Sequence, residues 1–354
     1  MAFDFRSIMS GKRRDPLAIL IRSGLSIASG FYGIATSFRN RRFDRGKTEI
    51  HRCGIPVVSV GNLTTGGTGK TPAVCCLAKW FRAKGVRVAI VSRGYGRGEN
   101  DFNDEALELH ARLPDVPHVQ DPDRVEAARI AVEELEAELV LMDDGFQHRR
   151  LHRDLDVVLI DATEPFGYGR LLPRGLLRES ITGLRRANLV LLTRSDSVDS
   201  QTLDNIERDI RNVNPSVPVI RSSHRPTKLL EYPDCELPLS MLDGTEIAVV
   251  SAIGNPAAFH ESLRKCGAVI VDTMDLPDHD GFSPETVQSI RQWISGLGDS
   301  ATMVVCTHKD LVKLSTDRLA GIQVTALIIE LRIESEMQTF EAILGGDWRD
   351  AATR

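Results

Sequence analysis

The sequence predicts an α/β protein with a large parallel-sheet domain, a second, smaller α/β domain and an N-terminal membrane-associating helix. Three features support this fold class. From residue 55 onwards, short apolar segments alternate with amphipathic helical ones, which is typical of a parallel sheet with helices on both faces. A glycine-rich loop follows the first apolar segment, and an apolar stretch bordered by basic residues precedes it.

The N-terminal helix is predicted from residues 16–38, which are apolar with Arg22 as their only charge. The uncharged part, Ser23–Phe38, has 16 residues, whereas a spanning helix usually needs about 20. Basic clusters flank it, so that residues 1–50 carry ten Lys or Arg against four Asp or Glu. Such a helix can lie in the interface of an anionic membrane. The alternative is an ordinary helix that packs on the core of its own domain.

The glycine-rich loop has the composition of a phosphate-binding loop. It lies between an apolar strand, Ile55–Val60, and a helix that runs to Phe81, which is the order of a P-loop. Glycines let backbone N–H groups approach phosphate oxygens, and the dipole of the following helix attracts the same anion. Thr64 stands where the general pattern has glycine, so a turn that binds nothing stays an alternative. The residues expected to bind the nucleotide phosphates are Gly66, Gly67, Thr68, Gly69, Lys70 and Thr71.

An acidic pair follows a second buried strand downstream of this loop. Residues Leu139–Met142 are apolar, and Asp143 and Asp144 come directly after them, which is the form of a Walker B strand. A carboxylate there holds Mg²⁺ directly or through water, and the Thr71 hydroxyl can be another ligand. We therefore expect Thr71, Asp143 and Asp144 at the metal. An Asp pair that caps a turn before Gly145 is the alternative.

The remaining apolar segments divide the chain into two α/β domains. Further strands are predicted at 86–92, 155–160, 189–192 and 217–220, and a second set of strands and helices covers 247–330. The expected organisation is an N-terminal segment at 1–48, a P-loop domain at 49–222, a linker at 223–245, a smaller α/β domain at 246–323 and a C-terminal return strand and helix at 324–354.

Composition limits the classes of function. The chain has 354 residues, of which 42% are hydrophobic, and a net charge of −5, so it can bury a sizeable core. Its six cysteines have no metal-ligand spacing and are expected to be reduced, mostly buried thiols of a cytosolic protein. No secretory signal peptide is evident. The basic N-terminus on an acidic body indicates an anionic surface as partner, either membrane or nucleic acid.

Several motifs, taken together, resemble one enzyme family, the tetraacyldisaccharide 4′-kinases (lipid A 4′-kinases). A P-loop alone would be generic, whereas the block after the acidic pair, combined with the LPRGLLRE segment, is specific. The matching motifs run in order over nearly the whole chain: GNLTTGGTGKTP at 61–72, SRGYGR at 92–97, DDGFQHRRLHRDLD at 143–156, PFGYGRLLPRGLLRE at 165–179, IGNP at 253–256, PDHDGF at 277–282 and the Thr-x-Lys-Asp motif at 307–310.

This resemblance implies an enzyme that uses ATP and Mg²⁺, with two α/β domains and its site in the cleft between them. It would transfer the γ-phosphoryl group to the 4′-hydroxyl of a tetraacylated glucosamine disaccharide 1-phosphate, a late step of lipid A biosynthesis. The family works peripherally at the cytoplasmic face of the inner membrane. The expected partners are therefore the acylated disaccharide lipid and an anionic membrane surface, with no nucleic acid and no obligate protein partner evident.

Individual residues match functional positions of the family. Asp104 matches an acidic residue, although Asn103 replaces the common glycine before it. His279 matches a histidine of the second domain, although Asp280 follows where a second histidine is common. With Lys70 these two are the expected catalytic residues, the aspartate accepting the sugar proton and the histidine orienting it; a helix cap and a solvated loop residue are the alternatives. The expected substrate contacts are Arg93, Tyr95, Glu105, Gln147, His148 and Arg178.

Two other functions are compatible with parts of the sequence. A membrane-associated P-loop GTPase or ATPase switch would explain the loop and Thr193–Asp196, which faintly resembles a guanine-recognition motif with Arg194 in place of lysine. A nonenzymatic binder of anionic lipid or nucleic acid would explain only the N-terminus. Because every expected ATP contact lies at or beyond residue 61, the sequence also predicts that the N-terminal helix is dispensable for nucleotide binding.

Overall fold

The computed structural model describes residues 5–94, 104–278 and 280–348, apart from the side chains of Phe5, Arg6 and Asp104. The helices are α1 (Phe5–Ser10), α2 (Pro16–Asp44), α3 (Lys70–Ala83), α4 (Asp104–Arg112), α5 (Arg124–Glu133), α6 (Ser200–Val213), α7 (Pro256–Lys265), α8 (Pro284–Gly296), α9 (His308–Leu314) and α10 (Met337–Leu344). The strands are β1 (Val57–Asn62), β2 (Val88–Ser92), β3 (His118–Gln120), β4 (Leu139–Asp143), β5 (Leu155–Asp161), β6 (Leu189–Thr193), β7 (Val219–Glu231), β8 (Cys235–Leu237), β9 (Glu246–Ser251), β10 (Val269–Asp275), β11 (Met303–Thr307), β12 (Arg318–Leu319) and β13 (Ile322–Ile333).

The chain divides into two compact units. The first comprises Met1–Arg93, Val116–Ser223 and Arg332–Arg354, and the second comprises Gly94–Asp115 and His224–Leu331. Strands β7 and β13 each begin in one unit and end in the other. The segment that begins with Asp104 therefore belongs to the second unit. The domain limits expected from the sequence stay a prediction.

A parallel sheet with the strand order β7-β6-β5-β1-β4-β2-β3 forms the first unit. Val140 and Met142 lie in the cluster under α5, and Val190 and Leu192 lie in the cluster under α6. The residues between them on the same strands are also fully buried, and α3 packs on β1, β4 and β2. Both faces of this sheet are thus covered, as its continuous apolar strands predict.

Register brings the ends of β1 and β4 together. Val60, two residues before the end of β1, pairs with Asp143, the last residue of β4. Because both strands are parallel, the loop that follows β1 and the acids that end β4 lie at the same edge of the sheet. Ligands of open α/β sheets bind at this carboxyl edge, so the fold places the two predicted nucleotide motifs side by side.

The N-terminal helix α2 begins at Pro16, and the carboxylate of Asp15 caps it by accepting a hydrogen bond from the Ala18 N–H at 3.2 Å. Its large apolar side chains are mostly exposed. By length and composition, α2 is the one helix of the described chain that could cross a membrane. Five of the large apolar side chains are each 63–71% exposed: Leu20, Ile27, Phe31, Ile34 and Phe38. They follow one another at intervals of seven, four, three and four residues, which places them on one side of the helix.

In the second unit, β10, β9, β11 and β13 are parallel neighbours in that order. Helices α7 and α8 each contribute to a separate hydrophobic cluster on these strands. The segment 223–245, expected to be a linker, contains most of β7 and all of β8, which pair antiparallel through Leu229 and Leu237. Polar residues and Pro226 conceal this pairing in the sequence because they interrupt the apolar alternation that indicates a strand.

All six cysteines are free thiols. Cys75 and Cys306 are buried, whereas Cys235 is exposed and the others are intermediate. The expectation that these thiols are mostly buried is therefore wrong. Burial follows the side of the element on which each cysteine lies, and this is decided by packing.

Candidate active site

The predicted phosphate-binding loop connects the end of β1 to the start of α3 at Lys70. Gly66 and Gly69 have φ of +119° and +89°, in the region that favours glycine. A Cβ added at Gly66 or Gly67 would meet no atom within 4 Å, so the space beside this backbone is open to an anion. Helix α3 begins without a side-chain cap, which leaves its first N–H groups for a phosphate.

Thr64 replaces a glycine of the general pattern, and the structure gives the reason. It is buried and forms an antiparallel bridge with Leu177. Next to it, the Thr65 N–H donates to the Leu176 carbonyl at 2.8 Å. Residue 64 is therefore held in extended pairing with the 171–179 segment, where a side chain is tolerated and the freedom of glycine is not required.

Side chains at the ends of β1 and β6 form hydrogen bonds that fix the conformation of the loop. Asn62 Nδ2 donates to Thr68 Oγ1 at 2.9 Å, and Thr193 Oγ1 donates to the Thr68 carbonyl at 3.0 Å. Arg194 Nη2 donates to the Gly67 carbonyl at 2.9 Å, and its other nitrogen pairs with Asp161. The motif that faintly resembles a guanine reader thus contacts the protein's own loop.

Lys70, Asp144 and Arg178 form the charged centre of the site. Lys70 Nζ lies 3.6 Å from Asp144 Oδ1, and Arg178 Nη1 donates to both carboxylate oxygens at 2.8 and 2.7 Å. Burial by itself raises the pKa of Asp144, but the charges of Lys70 and Arg178 outweigh it and hold this pKa below its usual value. The structure thus brings together three residues that the sequence predicted separately.

Asp143 ends β4 and is buried beside this centre. Its carboxylate, that of Asp144 and the Thr71 hydroxyl offer hard oxygen donors, which Mg²⁺ prefers. Among the described residues, no group of three or more His, Cys, Asp or Glu side chains could enclose a metal. Mg²⁺ usually takes one or two carboxylates together with substrate phosphates, and Asp143 and Asp144 could supply the carboxylates here. The three-residue metal site stays a prediction.

Arg124 is a residue that the sequence interpretation missed. It is the first residue of α5 and is 5% exposed. Burial, followed by repulsion from Arg93, lowers its pKa, while attraction to Asp144 and Asp143 opposes this change. Its Nε is buried without a hydrogen-bond partner among the described residues. A buried guanidinium near two acids is a candidate for binding phosphate; no motif singled out in the sequence includes this residue.

Gln147 and His148 follow the acidic pair. Gln147 Nε2 donates to the Asn62 carbonyl at 2.9 Å and to Glu179 Oε1 at 3.0 Å. Its amide nitrogen therefore forms two hydrogen bonds within the protein. Burial, followed by the charge of Arg124, lowers the pKa of His148 to about 4, so its imidazole is neutral at pH 7. The expected substrate contacts of both residues stay a prediction.

The remaining predicted residues are Arg93, Tyr95, Asp104, Glu105 and His279. Asp104 begins α4, followed by the half-buried Glu105. Tyr95 and His279 lie outside the described residues, and Arg93 is exposed. The roles predicted for these five residues stay predictions.

Asp280 forms two hydrogen bonds with described residues. Asp280, which stands where the family often has a second histidine, accepts the Phe282 N–H on its carboxylate at 2.7 Å. Its carbonyl accepts a hydrogen bond from Lys313 Nζ at 2.7 Å. The substitution at 280 is therefore compatible with an ordered turn in which this side chain has a structural contact.

An open phosphate-binding loop and a lysine–aspartate–arginine cluster at the carboxyl edge of a parallel sheet define a P-loop nucleotide-binding enzyme. The family model for tetraacyldisaccharide-1-P 4′-kinase, LpxK, matches residues 21–346. The protein belongs to this family, which confirms the resemblance, the fold class and the kinase class predicted from the sequence.

Individual relatives agree with this assignment over nearly the full length. A tetraacyldisaccharide 4′-kinase of Anaeromyxobacter sp. (strain K) is 39% identical over 342 residues, covering 90% of each chain. The tetraacyldisaccharide 4′-kinase of Geobacter sulfurreducens is 35% identical over 346 residues, covering 93% of this chain and 94% of its own. The crystal structure of LpxK from Aquifex aeolicus in complex with ATP has a TM-score of 0.72 and 31% identity, covering 91% of this chain and 98% of that one.

Proposed function

We propose that this protein transfers the γ-phosphoryl group of ATP to the 4′-hydroxyl of a tetraacylated glucosamine disaccharide 1-phosphate, a late step of lipid A biosynthesis. The observation that carries the proposal is the pairing of Lys70 and Arg178 with Asp144 beside an open phosphate-binding loop. Membership of the tetraacyldisaccharide-1-P 4′-kinase family supports the acceptor. A GTPase or ATPase switch would use the same loop, but the family assignment favours the kinase.

The nucleotide side of the reaction depends on positioning and positive charge. The loop N–H groups and the start of α3 would hold the β- and γ-phosphates, and Lys70 would neutralise the charge that grows between them. Arg178 keeps Asp144 ionised and fixed next to Lys70. When bound, Mg²⁺ supplies further charge neutralisation, and Thr71 and Asp143 are its proposed ligands, with Asp144 beside them.

The acceptor side needs a group that takes the proton of the sugar hydroxyl, which is a poor nucleophile. We propose Asp104 for this role and His279 as the residue that orients it, as their match to the family implies. General-base catalysis of this kind typically contributes about 10² to 10⁴ in rate. The support for both roles is the match of these two positions to the family; in the structure, Asp104 is the first residue of α4.

The lipid acceptor also accounts for the N-terminal helix. The exposed apolar side of α2 and the cations that flank it would bind peripherally at the cytoplasmic face of the inner membrane, where an acylated substrate is found. Five large apolar side chains, from Leu20 to Phe38, are available for this contact. Each lysine or arginine near an anionic leaflet adds about 1 kcal/mol.

One experiment tests the function directly. Full-length protein in detergent micelles is incubated with ATP, Mg²⁺ and a tetraacylated disaccharide 1-phosphate, and the lipid product is analysed by mass spectrometry. A gain of one phosphate on the distal sugar is expected. Nucleotide hydrolysis that is independent of the lipid, with no phosphorylated lipid, would instead identify a switch protein.

A further inference from the structure

Glu179 is the most enclosed carboxylate near the nucleotide loop, with 1% of the residue exposed. Three side chains donate to it: Gln147 Nε2 at 3.0 Å, Asn40 Nδ2 at 3.0 Å and Arg186 Nη2 at 2.9 and 2.8 Å. The Arg186 guanidinium also stacks over the Phe146 ring at 4.5 Å. A buried carboxylate with this many donors has a tightly determined position, because charge-assisted hydrogen bonds are strong and directional.

From Glu179 one branch of this network leads to the phosphate-binding loop. The same Gln147 nitrogen that donates to Glu179 donates to the Asn62 carbonyl at the end of β1. The Asn62 side chain is fully buried and donates to Thr68 Oγ1, inside the loop. The conformation of the loop is therefore linked to the Glu179 carboxylate through two amide side chains.

The other branch leads to the N-terminal helix. Asn40 lies in the last two turns of α2, and its carbonyl also accepts a hydrogen bond from Arg149 Nη1 at 3.1 Å. Nearer the start of the helix, the Tyr32 hydroxyl donates to the carbonyl of Arg178 at 2.8 Å. Residues 178 and 179 are thus both hydrogen-bonded to α2. Their side chains also form hydrogen bonds with Asp144 and Gln147, respectively.

We propose that Glu179 is a positioning residue that couples the N-terminal helix to the phosphate-binding loop, so that the docking of α2 tunes the affinity for ATP. This differs from the expectation that nothing before residue 61 matters for nucleotide binding. The physical reason is that Asn40, Glu179, Gln147, Asn62 and Thr68 form one continuous hydrogen-bonded path within the first unit. Loss of any link frees the next group to reorient.

Ser29 offers a matched control on the same helix. Its hydroxyl donates to the Leu171 carbonyl and accepts the Arg174 N–H, at 2.8 and 3.0 Å. It therefore anchors α2 to the same segment of chain, but none of its bonds reaches Glu179. Ser29→Ala and Asn40→Ala each remove a polar anchor of α2, and only Asn40→Ala breaks the path.

The test measures binding of a fluorescent ATP analogue to full-length protein in micelles, without lipid acceptor, together with the melting temperature. Because no acceptor is present, failure of the proposed lipid reaction would not affect the result. Asn40→Ala and Glu179→Gln should each weaken binding by about fivefold or more, whereas Ser29→Ala should leave it unchanged at a similar melting temperature. The double variant should bind no more weakly than Glu179→Gln alone, because both changes interrupt one path.

Two results would overturn the proposal. One is an Asn40→Ala protein that binds the analogue as tightly as Ser29→Ala does. The other is additive losses from Asn40→Ala and Glu179→Gln, which would indicate two independent structural effects. If Glu179→Gln does not fold, the comparison of Asn40→Ala with Ser29→Ala decides the question, and Gly183→Ala gives a second perturbation. A Cβ at Gly183 would lie 2.8 Å from Glu179 Oε2, so this variant should displace the carboxylate and also weaken binding.

Discussion

Lys70→Ala is expected to remove most of the kinase activity while leaving the protein folded. Arg178 retains its two hydrogen bonds to Asp144 in this variant, so the carboxylate is not left unpaired. Lys70 Nζ is 3.6 Å from Asp144, and the acid is about one-third exposed. Solvent screening limits the contribution of such a pair to stability to about 1 kcal/mol or less.

The catalytic loss is larger because Lys70 acts on charge that develops during transfer. An ammonium about 3 Å from half a unit charge, at an effective dielectric constant of about 20, contributes about 2.8 kcal/mol. This corresponds to roughly a hundredfold in kcat. The value lies within the range found when one preorganised donor is removed from an active site.

The assay follows phosphorylated lipid by mass spectrometry with saturating ATP, and thermal unfolding of each protein checks the fold. Lys79→Ala is the matched control, since Lys79 lies on the exposed side of the same helix; its kcat should equal that of the wild type. A folded Lys70→Ala protein with kcat within about threefold of wild type would refute the role of this loop in phosphoryl transfer.

Three further predictions concern the acceptor site, acid stability and the membrane. Asp104→Ala should lower kcat by about 10² to 10⁴ with little change in ATP affinity; a collapse of ATP affinity would identify a metal ligand instead. Burial, followed by the charge of Arg112, lowers the pKa of His308 to about 3, whereas an unfolded histidine titrates near pH 6.5. The unfolded state thus binds more protons between these values, and stability should fall as pH drops through this window. His308→Gln should flatten that dependence in urea unfolding at pH 6.5 to 4; an unchanged slope would contradict it. Replacing Phe31 and Ile34 with Glu should release the protein from anionic vesicles in sedimentation, and undiminished binding at low and high salt would mean that α2 is not the membrane contact.

Much of the nucleotide site could be predicted from local sequence. The apolar runs of β1 and β4 give strands that are buried along their length. Gly66 and Gly69 adopt backbone angles that other residues rarely take. These features depend on neighbouring residues and on steric freedom, which a sequence displays directly. The acids at the end of β4 follow from the same pattern, because the carboxyl ends of parallel strands share an edge.

Long-range pairing could not be predicted in this way. Arg178 is 34 residues from Asp144 in the chain, and no local pattern indicates this pair; the expected contact of Arg178 with the substrate stays a prediction. Arg124 is buried and lies outside every motif that the sequence analysis singled out. Charge and residue type restrict which pairs are favourable, but packing selects among many arginines the one that reaches a given carboxylate.

The sequence by itself determined the class of the protein: a phosphate-binding loop, an acidic strand end and family motifs that run in order over the chain. Only the tertiary structure decided that the N-terminal helix is hydrogen-bonded to the network behind the loop, through Asn40 and Glu179. These residues are separated by 139 positions in the chain. A contact of that range depends on how helices and loops pack, and no local periodicity or propensity encodes it.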